Sequence, residues 1–198
     1  MHREESETLE FKLRVDSQRK IAKTLVALAN GQGGRIVVGV RDSGSVAGCN
    51  LEEEFYMIQG AAHRHTRPEV AFTASEARWD GKPVLVVDIP ASDLAPHAAE
   101  DEHEGTWTVY VRRGAANYRA NRVLLESIRA RFQDVEASSE QLSLLSLIPD
   151  DVSVSASFLA RASKLPIRDV EDGLAVLLRW EQVGAEPMEQ GWRYRKIC

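Results

Sequence analysis

The sequence predicts an α+β fold in two parts. A larger domain of strands and helices spans residues 1–133, a linker spans 134–139, and a small helical module with a terminal strand pair spans 140–198. Three observations predict this. "LEFKLRVD" (9–16) alternates apolar and polar residues, the period of a half-buried strand. The next segment changes to helical period, with Ile21, Leu25 and Leu28 on one stripe that Ala22, Val26 and Ala29 widen. Further on, Asp80-Gly81 stands between two strand-like runs, a strong hairpin signal.

In the first strand the alternation puts Glu10, Lys12 and Arg14 together on the solvent face. Ser17 is placed to N-cap the helix, and Arg19, Lys20 and Lys23 lie off its apolar stripe. "NGQGG" (30–34) ends the helix, and "RIVVGV" (35–40) is a short apolar run that reads as a buried strand. "DSGS" turns the chain, residues 46–49 return briefly, and a second helix runs over 51–64 from Asn50. Strands at 70–78 and 83–89 flank the hairpin turn. Residues 90–105, carrying "EDEHE", read as an exposed loop. Residues 106–113 alternate again, with Trp107, Val109 and Val111 opposite Thr108, Tyr110 and Arg112. An amphipathic helix over 121–132 turns Val123, Leu124, Ile128 and Phe132 inward.

After "QDVEASSE" come helices at 140–148, 156–164 and 168–182, with Pro166 at a turn, and then a closing hairpin. Three short helices and a two-stranded ribbon make a winged helix-turn-helix. Its second long helix would enter a major groove by its N-terminal turn. That turn carries Asp169, Glu171 and Asp172, which suit the helix dipole but repel phosphate. The ribbon offers Arg193, Arg195 and Lys196. This module is therefore expected to serve dimerisation or partner binding.

Composition sets the outer bounds. The 43% hydrophobic and 28% charged residues are those of a globular protein. No apolar run approaches the roughly 20 residues of a membrane span. "MHREESE" has no apolar core of a secretory signal. Cys49 and Cys198 make neither a disulfide framework nor a zinc cluster, which fits a reducing cytoplasm. The net charge of -5 runs against the basic surplus of most nucleic-acid binders, so any such function must rest on a local patch.

"NGQGG" is not a phosphate loop. Such loops run from a strand into a helix, so that the helix N-terminus faces the phosphate. Here the order is reversed, no GxxxxGK[ST] occurs, and ATP is not expected. What remains is a glycine cap with a tight entry into a strand, or a backbone that approaches a ligand closely.

Taken together, "ESETLEFK", a helix ending "ALANGQGG", "RIVVGVRDSGSVAG", a hairpin closing on "VVDIPAS", and "YVRRGAANYRA" resemble the Schlafen-type AlbA domain over roughly residues 4–122. The resemblance implies an α+β fold and nucleic-acid contact. In some Schlafen relatives it also implies metal-dependent RNA cleavage by three carboxylates, whose motif positions fall on Glu5, Glu10 and Asp42. A magnesium or manganese ion held there would lower the pKa of a bound water and shield the scissile phosphate. Schlafen nucleases pair two such lobes. One lobe here implies a homodimer or a lost activity.

Each acid also has a plainer role. Glu10 can pair with Lys12 or Arg35, Asp42 is a favoured turn residue before Ser43-Gly44, and Glu5 lies near the terminus. Lys12, Arg14, Lys20, Lys23, Arg112, Arg113 and Arg119 form a basic stripe if the first strand and the "YVRRG" strand are neighbours, with Tyr110 and Tyr118 available for stacking. A solvated face paired with the chain's many acids is the alternative. His63 and His65 read as surface residues, and His97 and His103 as adventitious metal binders in the acidic loop. The leading expectation is a nucleic-acid-binding protein acting as a transcriptional regulator. A metal-dependent ribonuclease or deoxyribonuclease is second, and a protein-interaction adaptor, which suits the acidic charge, is third.

Overall fold

The computed structural model describes residues 4–101, 105–131, 133 and 138–197. Phe132, His103, Cys198 and residues 134–137 of the expected linker lie outside them. The chain forms two compact units, Met1–Arg119 and Ala120–Cys198. The helix over 121–132, assigned from sequence to the first domain, thus falls in the second unit, and the division comes ahead of the expected linker.

The first unit is α+β. Its first sheet has the order β1 (Leu9–Lys12), β2 (Gly33–Val38), β5 (Lys82–Pro90), β4 (Thr73–Trp79). β1 and β2 are parallel, and the other pairs are antiparallel. The second sheet has the order β3 (Thr66–Arg67), β6 (Ala98–Glu100), β7 (Trp107–Arg113), β8 (Ala116–Arg119). Helix α1 (Gln18–Asn30) packs against strands of both sheets and against α2 (Leu51–His65). Its start is the expected one, with the Ser17 side chain accepting from the Lys20 N–H. Asn50 caps α2 in the same way.

The core is built on α1. Leu25, Val26 and Leu28 meet Ile36 and Val38 of β2, Val87 and Ile89 of β5, and Ile58 of α2. Each such side chain stabilises the fold by about 1.5–3 kcal/mol when fully buried. Phe11, Val37 and Val84 face the other side of the first sheet, where Val40 and Val46 of the following turn pack on them. The hairpin turns at Asp80-Gly81 as expected, with both residues at positive φ (50° and 76°), as a two-residue type I′ turn requires.

"NGQGG" resolves into tight packing. Gly33 sits at φ +79°, and a Cβ there would stand 2.6 Å from the Ile89 carbonyl oxygen. One on Gly34 would stand 2.6 Å from the Thr8 carbonyl oxygen. The backbone that approaches these glycines is the chain's own.

Three expectations need correction. Regular β1 ends at Lys12, and Glu10 is buried while Leu13 is exposed. Residues 90–105 are not an exposed loop throughout, because they contain β6 and the buried His97 and Asp101. β1 and β7 are not sheet neighbours, since they belong to different sheets.

The second unit holds α3 (Arg122–Arg129), α4 (Ser139–Ser146), α5 (Ala156–Ser163), α6 (Ile167–Arg179) and the antiparallel ribbon β9 (Val183–Met188) and β10 (Gly191–Lys196). Val123, Leu124 and Ile128 of α3 point inward as expected, and α3 packs on α6. Tyr194 is buried. Its hydroxyl accepts from Asn121 Nδ2 at 2.7 Å, and burial pushes its pKa up to about 12. No helix among the described residues is long and apolar enough to cross a membrane.

Candidate nucleic-acid interface

At the centre of the first unit's polar region is Arg112, which is 3% exposed. β7 delivers it to the outer edge of β1. Its Nε donates to the Ser6 carbonyl at 2.7 Å, Nη2 donates to the Leu9 carbonyl at 3.3 Å and to the Glu10 carboxylate, and Nη1 donates to Asn117 Oδ1 at 3.2 Å. Asn117 Nδ2 then donates to Thr24 Oγ1 of α1 at 2.9 Å. Glu10 is also paired with Lys12 at the rim. A charge buried this deeply persists only when paired and hydrogen-bonded, and Glu10 has both kinds of support.

"ESETLEFK" is thereby explained as a clamp. Glu5 Oε1 accepts from the Phe11 N–H at 3.0 Å, and Glu7 Oε1 accepts from the Gly114 N–H at 3.3 Å. Asp42 is exposed in the turn before Ser43-Gly44. Among the described residues no group of three His, Cys, Asp or Glu side chains could hold a metal ion. A divalent ion needs free oxygen donors that converge on one point. Glu10 gives its oxygens to Arg112 and Lys12 instead, so these acids as placed do not fit the ion.

The basic residues part company. Arg112 is sealed inside and cannot reach a phosphate. Tyr110 is also buried, with Lys23 Nζ 5.7 Å above its ring, so it is no stacking platform. Arg119 is exposed and pairs with the buried Asp101. Arg14 pairs with Asp16 at 2.6 Å, and both are well exposed. Arg113 Nη1 donates to the Arg112 carbonyl at 2.9 Å. Lys20 and Lys23 stand a turn apart at the start of α1 and make no ion pair with any described acid. The Asn117–Thr24 bond joins this part of α1 to β8, bringing Lys20, Lys23 and Arg119 to adjoining elements.

Three buried polar residues escaped sequence reasoning. Asn30, in "ALANGQGG", donates through Nδ2 to the His97 and Tyr110 carbonyls at 2.9 Å each, and its Oδ1 accepts from the His97 N–H at 2.7 Å. It stitches the end of α1 to the second sheet. His97 is fully buried, not an exposed metal binder. Its Nδ1 donates to the Pro68 carbonyl at 2.8 Å, so Nε2 accepts from the Ser92 hydroxyl at 2.7 Å. Burial lowers its pKa, although the Pro68 bond opposes this. Glu54 Oε2 accepts from the Val15 N–H at 2.9 Å, and burial raises its pKa above the usual carboxylate range. Position 54 lies four and seven residues before the buried Ile58 and Ala61, on the same helical stripe, and that spacing is the signal that could have found it. The signal for Glu10 was the apolar run of β2, which implies a partner strand covered on both faces.

In the second unit, the acids at the start of α6 are partly neutralised. Arg122 Nη1 reaches Glu171 at 3.2 Å and Nη2 reaches Asp172 at 2.7 Å. On the ribbon, Arg195 pairs with Glu186 at 2.6 Å and Lys196 with Asp150 at 2.7 Å.

An α1 helix held between two four-stranded sheets, with "ESETLEFK" clamped by the arginine of "YVRRG", defines an AlbA-like α+β domain. The chain belongs to the family described as Schlafen, AlbA_2, whose model matches residues 5–121. Among solved structures it is similar to the DIP2311 protein of Corynebacterium diphtheriae, at 16% identity and a TM-score of 0.47, over 94% of this chain and 34% of that one. It is also similar to the N-terminal domain of a DNA helicase RecG-related protein from Nitrosomonas europaea, at 21% identity and a TM-score of 0.40, over 59% of this chain and 85% of that one. The chain thus spans about a third of the length of the first of these. No curated protein matches it.

Proposed function

We propose that the first unit binds nucleic acid, DNA or RNA, through its phosphates and without reading bases, and that the protein acts as a regulator. The observation that carries this is the pair Lys20, exposed, and Lys23, half-buried, cations with no acidic partner among the described residues, at the start of α1 beside β8. Arg119, exposed on the adjoining β8, adds to this charge, although it also pairs with Asp101. Cations along a surface neutralise phosphates and release counterions, which gives affinity independent of sequence. Arg112 has no direct part in this reading; it holds β1 and β8 against α1. Membership of the Schlafen AlbA_2 family supports it.

The second unit has the element order of a winged helix-turn-helix, and we read it as one. Two of the acids at the start of α6 stay near Arg122, and two of the ribbon cations are committed to acids of their own unit. That favours a protein partner over a DNA groove for this unit. The engagement of Glu10 by Arg112 favours a structural role for "ESETLEFK" over phosphodiester cleavage.

The test is fluorescence anisotropy with mixed-sequence DNA and RNA across a salt series. Lys20→Ala with Lys23→Ala weakens all sequences alike and lowers the salt slope by about 2, roughly one per lost phosphate contact. Absence of binding by the wild-type chain at low salt overturns the reading.

A further inference from the structure

The two edges of the first sheet are finished differently. On β1, Arg112 donates to the Ser6 and Leu9 carbonyls and so closes that edge. β4 closes the other end of the sheet with nothing beyond it among the described residues. Its seven residues, "TASEARW", contain no Pro, no Gly and no bulge. Natural proteins guard such an edge, because its free N–H and C=O groups template pairing with another strand.

The backbone groups that face outward can be named. Pro83, which has no N–H, stands opposite Arg78. The pair at that position is therefore not hydrogen-bonded, and Arg78 turns its own N–H and C=O away from β5. Antiparallel alternation then turns Glu76 and Ala74 outward as well. Their side chains are exposed, Glu76 by 50% and Arg78 by 69%, and they approach one another only to 3.7 Å.

We propose that β4 pairs antiparallel with β4 of a second copy of this chain, with Ala77 on the two-fold axis. Two-fold pairing must match outward groups with outward groups, so the axis passes through a residue. Centred on Glu76 it sets glutamate against glutamate, and centred on Arg78 it sets arginine against arginine. Centred on Ala77 it sets each Glu76 opposite the partner's Arg78, twice, with their backbone groups exchanging both hydrogen bonds. Each Trp79, 42% exposed on the other face, then stands opposite the partner's Ser75. Opposite charges directly across a strand pair stabilise it, and like charges destabilise it. The two sheets become one of eight strands, with Arg112 closing both ends.

Sedimentation of the full chain over a concentration series tests this, with circular dichroism to report folding. The wild type should be a dimer. Glu76→Arg and Arg78→Glu should each weaken it by about tenfold or more, because each sets like charges opposite at two positions. The double variant E76R/R78E should dimerise again. Mixing the two single variants should give a heterodimer, since each then supplies the charge the other lacks. A wild type that stays monomeric to its solubility limit overturns the proposal, as does a dimer indifferent to both single substitutions, or folded single variants that neither swap nor mixing restores.

Discussion

Arg112 and Arg35 both hold a carboxylate in the first unit, but in opposite surroundings. The side chains of Arg112 and Glu10 are 2% and 6% exposed, whereas those of Arg35 and Asp88 are 49% and 44% exposed at 2.7 Å. Water competes for the second pair and screens it, so it contributes about 0–1 kcal/mol. The first pair has no water to return to when one partner is lost. The same chemistry is a fixture in one place and an ornament in the other, and the family's acidic motif contains the fixture.

The largest effect expected is at Arg112. Arg112→Ala leaves the buried Glu10 with Lys12 alone and frees two carbonyls, so unfolding in urea should show a loss of about 3 kcal/mol. Glu10→Gln should likewise destabilise, with or without magnesium. If Glu10 were a metal ligand crowded by other acids, the same change would instead stabilise the metal-free protein, and that result would break the comparison.

Asn30→Ala comes next. It removes three hydrogen bonds between α1 and the second sheet and leaves buried backbone groups unpaired, each at about 1–3 kcal/mol. A loss of about 2–4 kcal/mol is expected by the same urea assay, and a loss below 1 kcal/mol would mean that water replaces the side chain.

His97 gives a smaller, pH-dependent effect. Its folded pKa lies below the ordinary value of about 6.5. Above that value the imidazole is neutral in both states and costs nothing. As pH falls through it, the unfolded chain takes up the proton first, so stability drops until the folded pKa is reached, at no more than about 1.4 kcal/mol per pH unit for this one group. Urea midpoints between pH 8 and 5 should decline in the wild type and decline less in His97→Gln.

Asp88→Ala should change stability by less than about 1 kcal/mol, and the change should vanish in high salt. A larger loss, or one insensitive to salt, would show that the exposed pair acts like the buried one.

What the sequence determined alone is what depends on local rules. Period two marked β1, period 3.6 with Ser17 and Asn50 marked α1 and α2, and Asp80-Gly81 marked the hairpin. Each of these signals lies within a few residues of the element it specifies. The ordered motifs likewise carried the family, since they need only a linear match.

Tertiary structure decided which charges are buried. Alternation along β1 assigned Glu10 to solvent, because a strand's own pattern cannot reveal a second sheet beside it. Only the fold brings Arg112, 102 residues away, onto Glu10, and only the fold puts His97 under Asn30 across 67 residues. Burial and ion pairing are properties of distant neighbours in space. For that reason Glu5, Glu10 and Asp42 looked like three ligands in the sequence and became a backbone cap, a clamp and a turn in the structure.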